Sequence, residues 1–173
     1  MHLRALLVVP VGVAAMVAVA SCGSSKSDPE PVQARPLLAE CTVGATTADG
    51  TPAIGDAAVL PWHSSAGDEG CPTGPAADGD GPLFTNAEAH TVNGNVVVDT
   101  RFVQGAAGAF NALAAMCVTL AEGCPTGKIA IVVNGRVLSI ATLTTFGFAD
   151  TVQFPFQDGA DAAAFSEAVN RGR

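Results

Sequence analysis

The residue best placed for chemistry is Cys22, which follows Val19-Ala20-Ser21 and precedes Gly23. An aliphatic residue, two small residues and a Cys form a lipobox. The small side chains fit lipoprotein signal peptidase, and the thiol takes up a diacylglycerol. The segment ahead of it agrees. Arg4 supplies one firm positive charge, and Ala5 to Ala20 is apolar, broken only by Pro10 and Gly12. That is the length of a secretory h-region and short for a membrane span. The expected organisation is a signal peptide over 1–21, a lipidated Cys22 on a flexible tether over 22–38, and one domain over 39–173. Such a tether spans on the order of 20 Å root-mean-square. The predicted location is the extracytoplasmic face of the cell membrane.

The remaining search for catalytic groups returns little. His63-Ser64-Ser65 with Asp68 is the one grouping of Ser, His and carboxylate. Residues this close in sequence rarely build a triad, and no G-x-S-x-G is present. Asp78-Gly79-Asp80-Gly81 starts like a calcium loop but lacks the later ligands and closing Glu. Gly105 to Gly108 opens a predicted helix without the rest of a dinucleotide fingerprint. No enzyme activity, cofactor or metal is therefore expected. Asp49, Asp56, Asp68, Glu69, Asp78 and Asp80 gather in one region and read as a solvated acidic surface.

Cys41, Cys71, Cys117 and Cys124 are the other cysteines. An even number in an exported domain reads as two disulfides, and four cysteines allow three pairings. Cys41–Cys71 with Cys117–Cys124 is favoured because each pair closes a local loop. The hexapeptide Glu-Gly-Cys-Pro-Thr-Gly occurs at 69–74 and again at 122–127. It reads as one turn chemistry used twice.

Eight Lys and Arg against sixteen Asp and Glu leave a formal charge of −8, which excludes a basic nucleic-acid-binding stripe. With no Tyr and one Trp, an aromatic-lined sugar cleft is poorly supplied.

The elements that must position these residues are regular from Asn86 onward. Ala87 to Val92 and Asn95 to Val103 are β-prone runs joined by Asn93-Gly94, a hairpin signal. A helix is predicted over 106–118, with Phe110, Leu113, Ala114 and Cys117 on one stripe. Strands follow at 128–133, 136–142 and 151–156, the first two joined by Asn134-Gly135. Pro155 marks an edge strand. A last helix over 159–170 is capped by Asp158, with Ala162, Phe165 and Val169 as its stripe. The predicted fold is α+β, an antiparallel sheet of four to five strands with two helices on one face, in the order β-β-α-β-β-β-α. Residues 49–82, rich in Gly, Pro, Ala and Asp, read as a long loop with one short strand at Ala57 to Leu60, which Cys41–Cys71 restrains and Trp62 anchors.

The stretch from Asn95 to Val169 resembles the head subdomain of the first periplasmic domain of SecD and SecDF. The resemblance is carried by Val96-Val97-Val98-Asp99-Thr100-Arg101-Phe102 followed by Gly108-Ala109-Phe110. Next come Ile129 to Val133, the Asn134-Gly135 turn and Val137-Leu138-Ser139-Ile140-Ala141. Val152-Gln153-Phe154-Pro155-Phe156 and the Ala-rich helix complete it. Ala141 stands where that family usually has Pro, and Pro155 where it usually has Gly. The resemblance implies a head-like binding module, without the membrane helices of a proton-driven motor. A lipid-anchored accessory protein contacting exported polypeptides or an envelope protein complex is expected. Its candidate binding edge is Thr151, Val152, Gln153 and Phe154. The alternative is a small-ligand-binding or structural envelope lipoprotein that reuses the fold.

Overall fold

The computed structural model of the chain describes residues 32–48, 50, 52–53, 55–77 and 82–172. Cys22, the signal segment and Asp78 to Gly81 lie outside the described residues. The elements run β1 (Gln33–Pro36), β2 (Thr42–Val43), β3 (Ala58–Ser64), β4 (Gly67–Thr73), β5 (Phe84–Val92), β6 (Asn95–Phe102), α1 (Ala107–Val118), β7 (Lys128–Val133), β8 (Arg136–Thr142), β9 (Thr151–Phe156) and α2 (Gly159–Arg171).

The class is α+β with two helices, as expected, but the strands form two sheets rather than one. A six-stranded sheet has the order β1-β7-β8-β3-β4-β2, and a three-stranded sheet has the order β5-β6-β9. The larger sheet is mixed, because β3 meets β8 in parallel at Trp62 and Val137. That pairing is the anchor expected of Trp62. The sheet also returns on itself. Leu37 bridges Thr73, the Leu38 N–H donates to the Pro72 carbonyl at 2.8 Å, and the Gly74 N–H donates to the Pro36 carbonyl at 2.9 Å. β1, β7, β8, β3 and β4 thus form a small closed ring.

Two cores follow from this closure. Leu37, Leu60, Cys71, Ala130, Val132 and Val137 fill the ring. The larger core joins the opposite face of β7 and β8 to the small sheet and both helices. After Lys128, β7 is apolar because Ile129, Ile131 and Val133 face one core while Ala130 and Val132 face the other. Seven of the eight phenylalanines stack in the larger core with ring centroids 5.2–6.1 Å apart. The predicted stripes Phe110, Leu113, Ala114, Cys117 and Ala162, Phe165, Val169 are buried there. Asp158 caps α2, accepting from the Asp161 N–H at 2.8 Å. Asn93 and Asn134 have positive φ, each followed by a positive-φ Gly, as their hairpins require.

Two expectations about the first half are corrected. Gln33–Pro36 is not tether but strand β1, paired with β7 and buried. Its polar reading misled because one face is covered by loop backbone, which Arg35 binds, instead of apolar side chains. Residues 49–82 are not one long loop, since they hold the β3–β4 hairpin. Its glycines and prolines show no alternation, and its pairing depends on closure against β1 and β8. The first Glu-Gly-Cys-Pro-Thr-Gly copy accordingly lies on β4, whereas the second forms the turn before β7. Both copies converge on Leu37. Thr73 bridges it, and the Thr126 hydroxyl donates to its carbonyl at 2.6 Å.

Candidate functional site

The two disulfides are those favoured from spacing, Cys41–Cys71 and Cys117–Cys124. Cys41 precedes β2 and Cys71 lies on β4, so the first bridge ties the β1–β2 connection to the ring. The second links the last turn of α1 to the turn before β7. Cys71, Cys117 and Cys124 are all fully buried, which makes these bridges structural.

The predicted binding edge is an edge of the three-stranded sheet. The Phe102 N–H donates to the Asp150 carbonyl at 2.9 Å. Antiparallel pairing alternates from that point. Val152, Phe154 and Phe156 therefore exchange bonds with β6, and their side chains are buried. Thr151, Gln153 and Pro155 turn their backbone groups to the far side. There the Ser139 hydroxyl of β8 donates to the Pro155 carbonyl at 2.5 Å. Pro155 carries no N–H, so this end of the edge offers no donor. Thr151 and Gln153 keep theirs. The Gln153 side chain is exposed and donates to Asp99 at 2.8 Å. A cleft of about 430 Å³ opens beside the Pro155 end, lined by Trp62, Asn95, Ile140, Phe156 and Gln157 among others.

His63, Ser64 and Asp68 come together without forming a triad. His63 Nδ1 lies 2.8 Å from Asp68 Oδ1 across the β3–β4 hairpin, with the two side chains 67% and 95% exposed. Ser64 follows His63 on the same strand and so projects from the opposite face. Its hydroxyl donates to Glu69 Oε1 at 2.6 Å. His63, Asp68 and Glu69 line a second cleft of about 490 Å³, whose wall also holds Trp62 and Arg136. Arg136 Nη2 is paired with Asp161 Oδ1 at 2.5 Å. Among the described residues, no group of three or more His, Cys, Asp or Glu is placed to hold a metal ion. No described helix is long and apolar enough to cross a membrane.

Sequence reasoning passed over Arg35. Its side chain is fully buried. Nε donates to Gln33 Oε1, Nη1 to the carbonyls of Asp56 and Gly74, and Nη2 to those of Pro52 and Ala53, at 2.6–3.1 Å. All five guanidinium protons are thereby used. Burial lowers its pKa below the ordinary arginine value, and the Asp56 charge opposes that lowering. Arg35 holds Pro52, Ala53 and Asp56 against the ring, and with them the approach to β3. A basic residue flanked by Ala and Pro gave no local signal of this role.

No protein-family model matches the chain, and comparison with curated proteins and with solved structures likewise finds no match.

Proposed function

We propose that the chain is a lipid-anchored extracytoplasmic binding protein that takes an extended polypeptide segment by strand addition along β9. The observation that carries this reading is the edge itself. β9 ends its sheet, and alternation turns the Thr151 and Gln153 backbone groups away from β6. Main-chain bonds to such an edge demand little of the partner's sequence, which suits a protein that meets many exported chains. The adjoining cleft supplies an aromatic wall, Trp62, beside apolar and amide side chains. The resemblance to the SecD and SecDF head and the lipobox at Cys22 support the setting.

The test uses the full chain in detergent and a reduced, alkylated polypeptide as probe. Gln153→Pro removes an outward-facing donor that β6 does not use, so it leaves the sheet intact. It should abolish binding while thermal unfolding stays close to that of the parent. Equal binding by the parent and Gln153→Pro would sink the strand-addition reading. Cys22→Ser should abolish incorporation of radiolabelled palmitate, and persistence of the label would sink the anchor.

A further inference from the structure

Helix α1 is uncharged, although only one stripe of it is buried. Between Ala107 and Val118 the only side chain with a nitrogen or oxygen is that of Asn111. Its amide is taken up by the 143–148 connection. It donates to the Phe148 carbonyl at 2.8 Å and accepts from the Gly147 and Phe148 N–H groups at 3.1 and 2.8 Å. That connection runs beside α1 from Leu143, whose N–H donates to the Gly127 carbonyl at 3.0 Å. It carries Phe146, which is 55% exposed, and Leu120 beyond the last turn of α1 is 62% exposed. On the other flank, a groove of about 470 Å³ separates α1 from the segment after β4. Pro75, Ala76 and Ala77 form one wall, and Ala109, Ala112 and Met116 form the other. The three helix residues stand at i, i+3 and i+7, so they share one face and converge on the groove. No charged side chain among the described residues lines it.

A helix that is apolar all round is normally covered. The charge pattern says by what. Residues 102–121 and 137–149 contain no Asp, Glu, Lys or Arg, with Glu122 and Asp150 just beyond their ends, in a chain of formal charge −8. Exposed acids lie on other elements. Asp68 is on the β3–β4 hairpin, Glu88 faces Asp99 in the small sheet, and Glu167 is on α2. An anionic membrane surface repels those sides and not this one. A charged protein partner would find no countercharge here. Phe and Leu beside small residues suit the boundary between headgroups and acyl chains. A groove walled by Ala, Pro and one flexible Met suits a chain without polar atoms. We propose that the α1 side docks on the lipid bilayer, with one acyl chain of a membrane lipid lying in the groove. The choice of partner rests on the lipid anchor proposed above, which holds the domain beside the bilayer.

The test places the full lipidated chain in vesicles of phosphatidylcholine and phosphatidylglycerol whose acyl chains carry bromine, a short-range quencher of indole emission. Trp62 is the chain's single Trp and packs on the ring core, across β7 and β8 from α1. Its emission in the parent should be unaffected. Phe146→Trp in a Trp62→Phe chain should be quenched and shifted to the blue. Ala112→Glu added to that chain puts a charge on exposed helix surface. It should abolish the quenching while the thermal midpoint stays close to that of the parent. Gln153→Pro should leave the quenching intact, so docking and strand addition fail separately. Flotation separates docking from the anchor. A chain that floats with the vesicles, but whose introduced indole is quenched no more than Trp62, overturns docking and leaves the anchor standing. A chain that does not float overturns both. Quenching that survives Ala112→Glu overturns the proposal. So does quenching that falls as the protein is diluted in lipid, which would assign the face to a second copy.

Discussion

Arg35 Nη1 donates to the Gly74 carbonyl at 3.0 Å, while the Gly74 N–H donates to the Pro36 carbonyl at 2.9 Å. β1 and the end of β4 are thus locked by backbone and side chain together at the seam of the ring. Arg35→Met would fill a similar volume but strand the carbonyls of Pro52, Ala53, Asp56 and Gly74. Leaving buried acceptors unmet costs about 1–3 kcal/mol each, though such costs do not add in full. A loss of about 3 kcal/mol or more is expected in denaturant unfolding. Arg35 is a base whose folded pKa is lowered, so the folded state holds its proton less tightly than the unfolded state. Stability linked to it rises only at alkaline pH, between the lowered and ordinary values. Across the neutral range both states stay protonated, and the difference between parent and variant should be flat. A destabilisation that varied between about pH 6 and 8 would contradict this account.

The two disulfides close loops of unequal length, with sequence separations of 30 and 7. The chain-entropy model gives about 3.6 kcal/mol for the first and about 2.4 kcal/mol for the second. Replacing Cys41 and Cys71 by Ala should therefore lower the thermal midpoint more than replacing Cys117 and Cys124. The first pair also holds β2 and the 44–47 segment near the ring, so its loss should alter Trp62 fluorescence. The second pair lies at the far end of α1 and should leave that signal unchanged. Calorimetry and fluorescence on the two variants check both orderings.

Legibility in the sequence followed the range of the forces involved. β7, β8 and β9 have the ends expected for them, because Asn134-Gly135 sets the turn locally and the Ile129–Val133 run has no polar interruption. α2 was legible from Asp158 and the Ala162, Phe165, Val169 stripe. β1, β3 and β4 were not. Arg35 looks solvent-facing until the carbonyls of residues far along the chain surround it, and Gly67, Gly70 and Pro72 carry no alternation. These strands exist because the ring closes, and closure is a long-range event. The same holds for the sites. Pro155 flagged the β9 edge locally. The cleft beside Trp62 is assembled from the 44–47 segment, the β3–β4 hairpin and Arg136, so no single stretch could show it.

Asp158 has extended backbone geometry, and its carboxylate accepts from the Asp161 N–H. Asp158→Ala leaves that donor without its cap and should cost about 1 kcal/mol. α2 lies against strands of both sheets through Ala162, Phe165 and Val169, so the loss should appear as global destabilisation and not as fraying of one end. Asp158→Asn, which keeps an acceptor oxygen, should recover most of it. Urea unfolding of both variants is the measurement, and equal stability of Asp158→Ala and the parent would remove the cap from the account.

Gly70 sits on β4 where the 44–47 segment crosses it. A Cβ there would lie 2.7 Å from Ala45 Cβ and 2.9 Å from Val59 Cγ1, with the Ala45 carbonyl oxygen at 3.3 Å. Val59 is held by the β3–β4 ladder, where it faces Pro72, so the 44–47 segment is the part that must move. Gly70→Ala should destabilise the chain by about 1–3 kcal/mol through overpacking. Ala45 lines the cleft beside Trp62, so the shift should also change the Trp62 emission in the folded protein. Ala45→Gly in the same chain removes the nearest contact but leaves Val59, and should restore part of the stability. A double-mutant cycle on Gly70→Ala and Ala45→Gly should therefore give a favourable coupling. Zero coupling would mean that the 44–47 segment does not rest on β4, and the cleft beside Trp62 would lose its opposite wall.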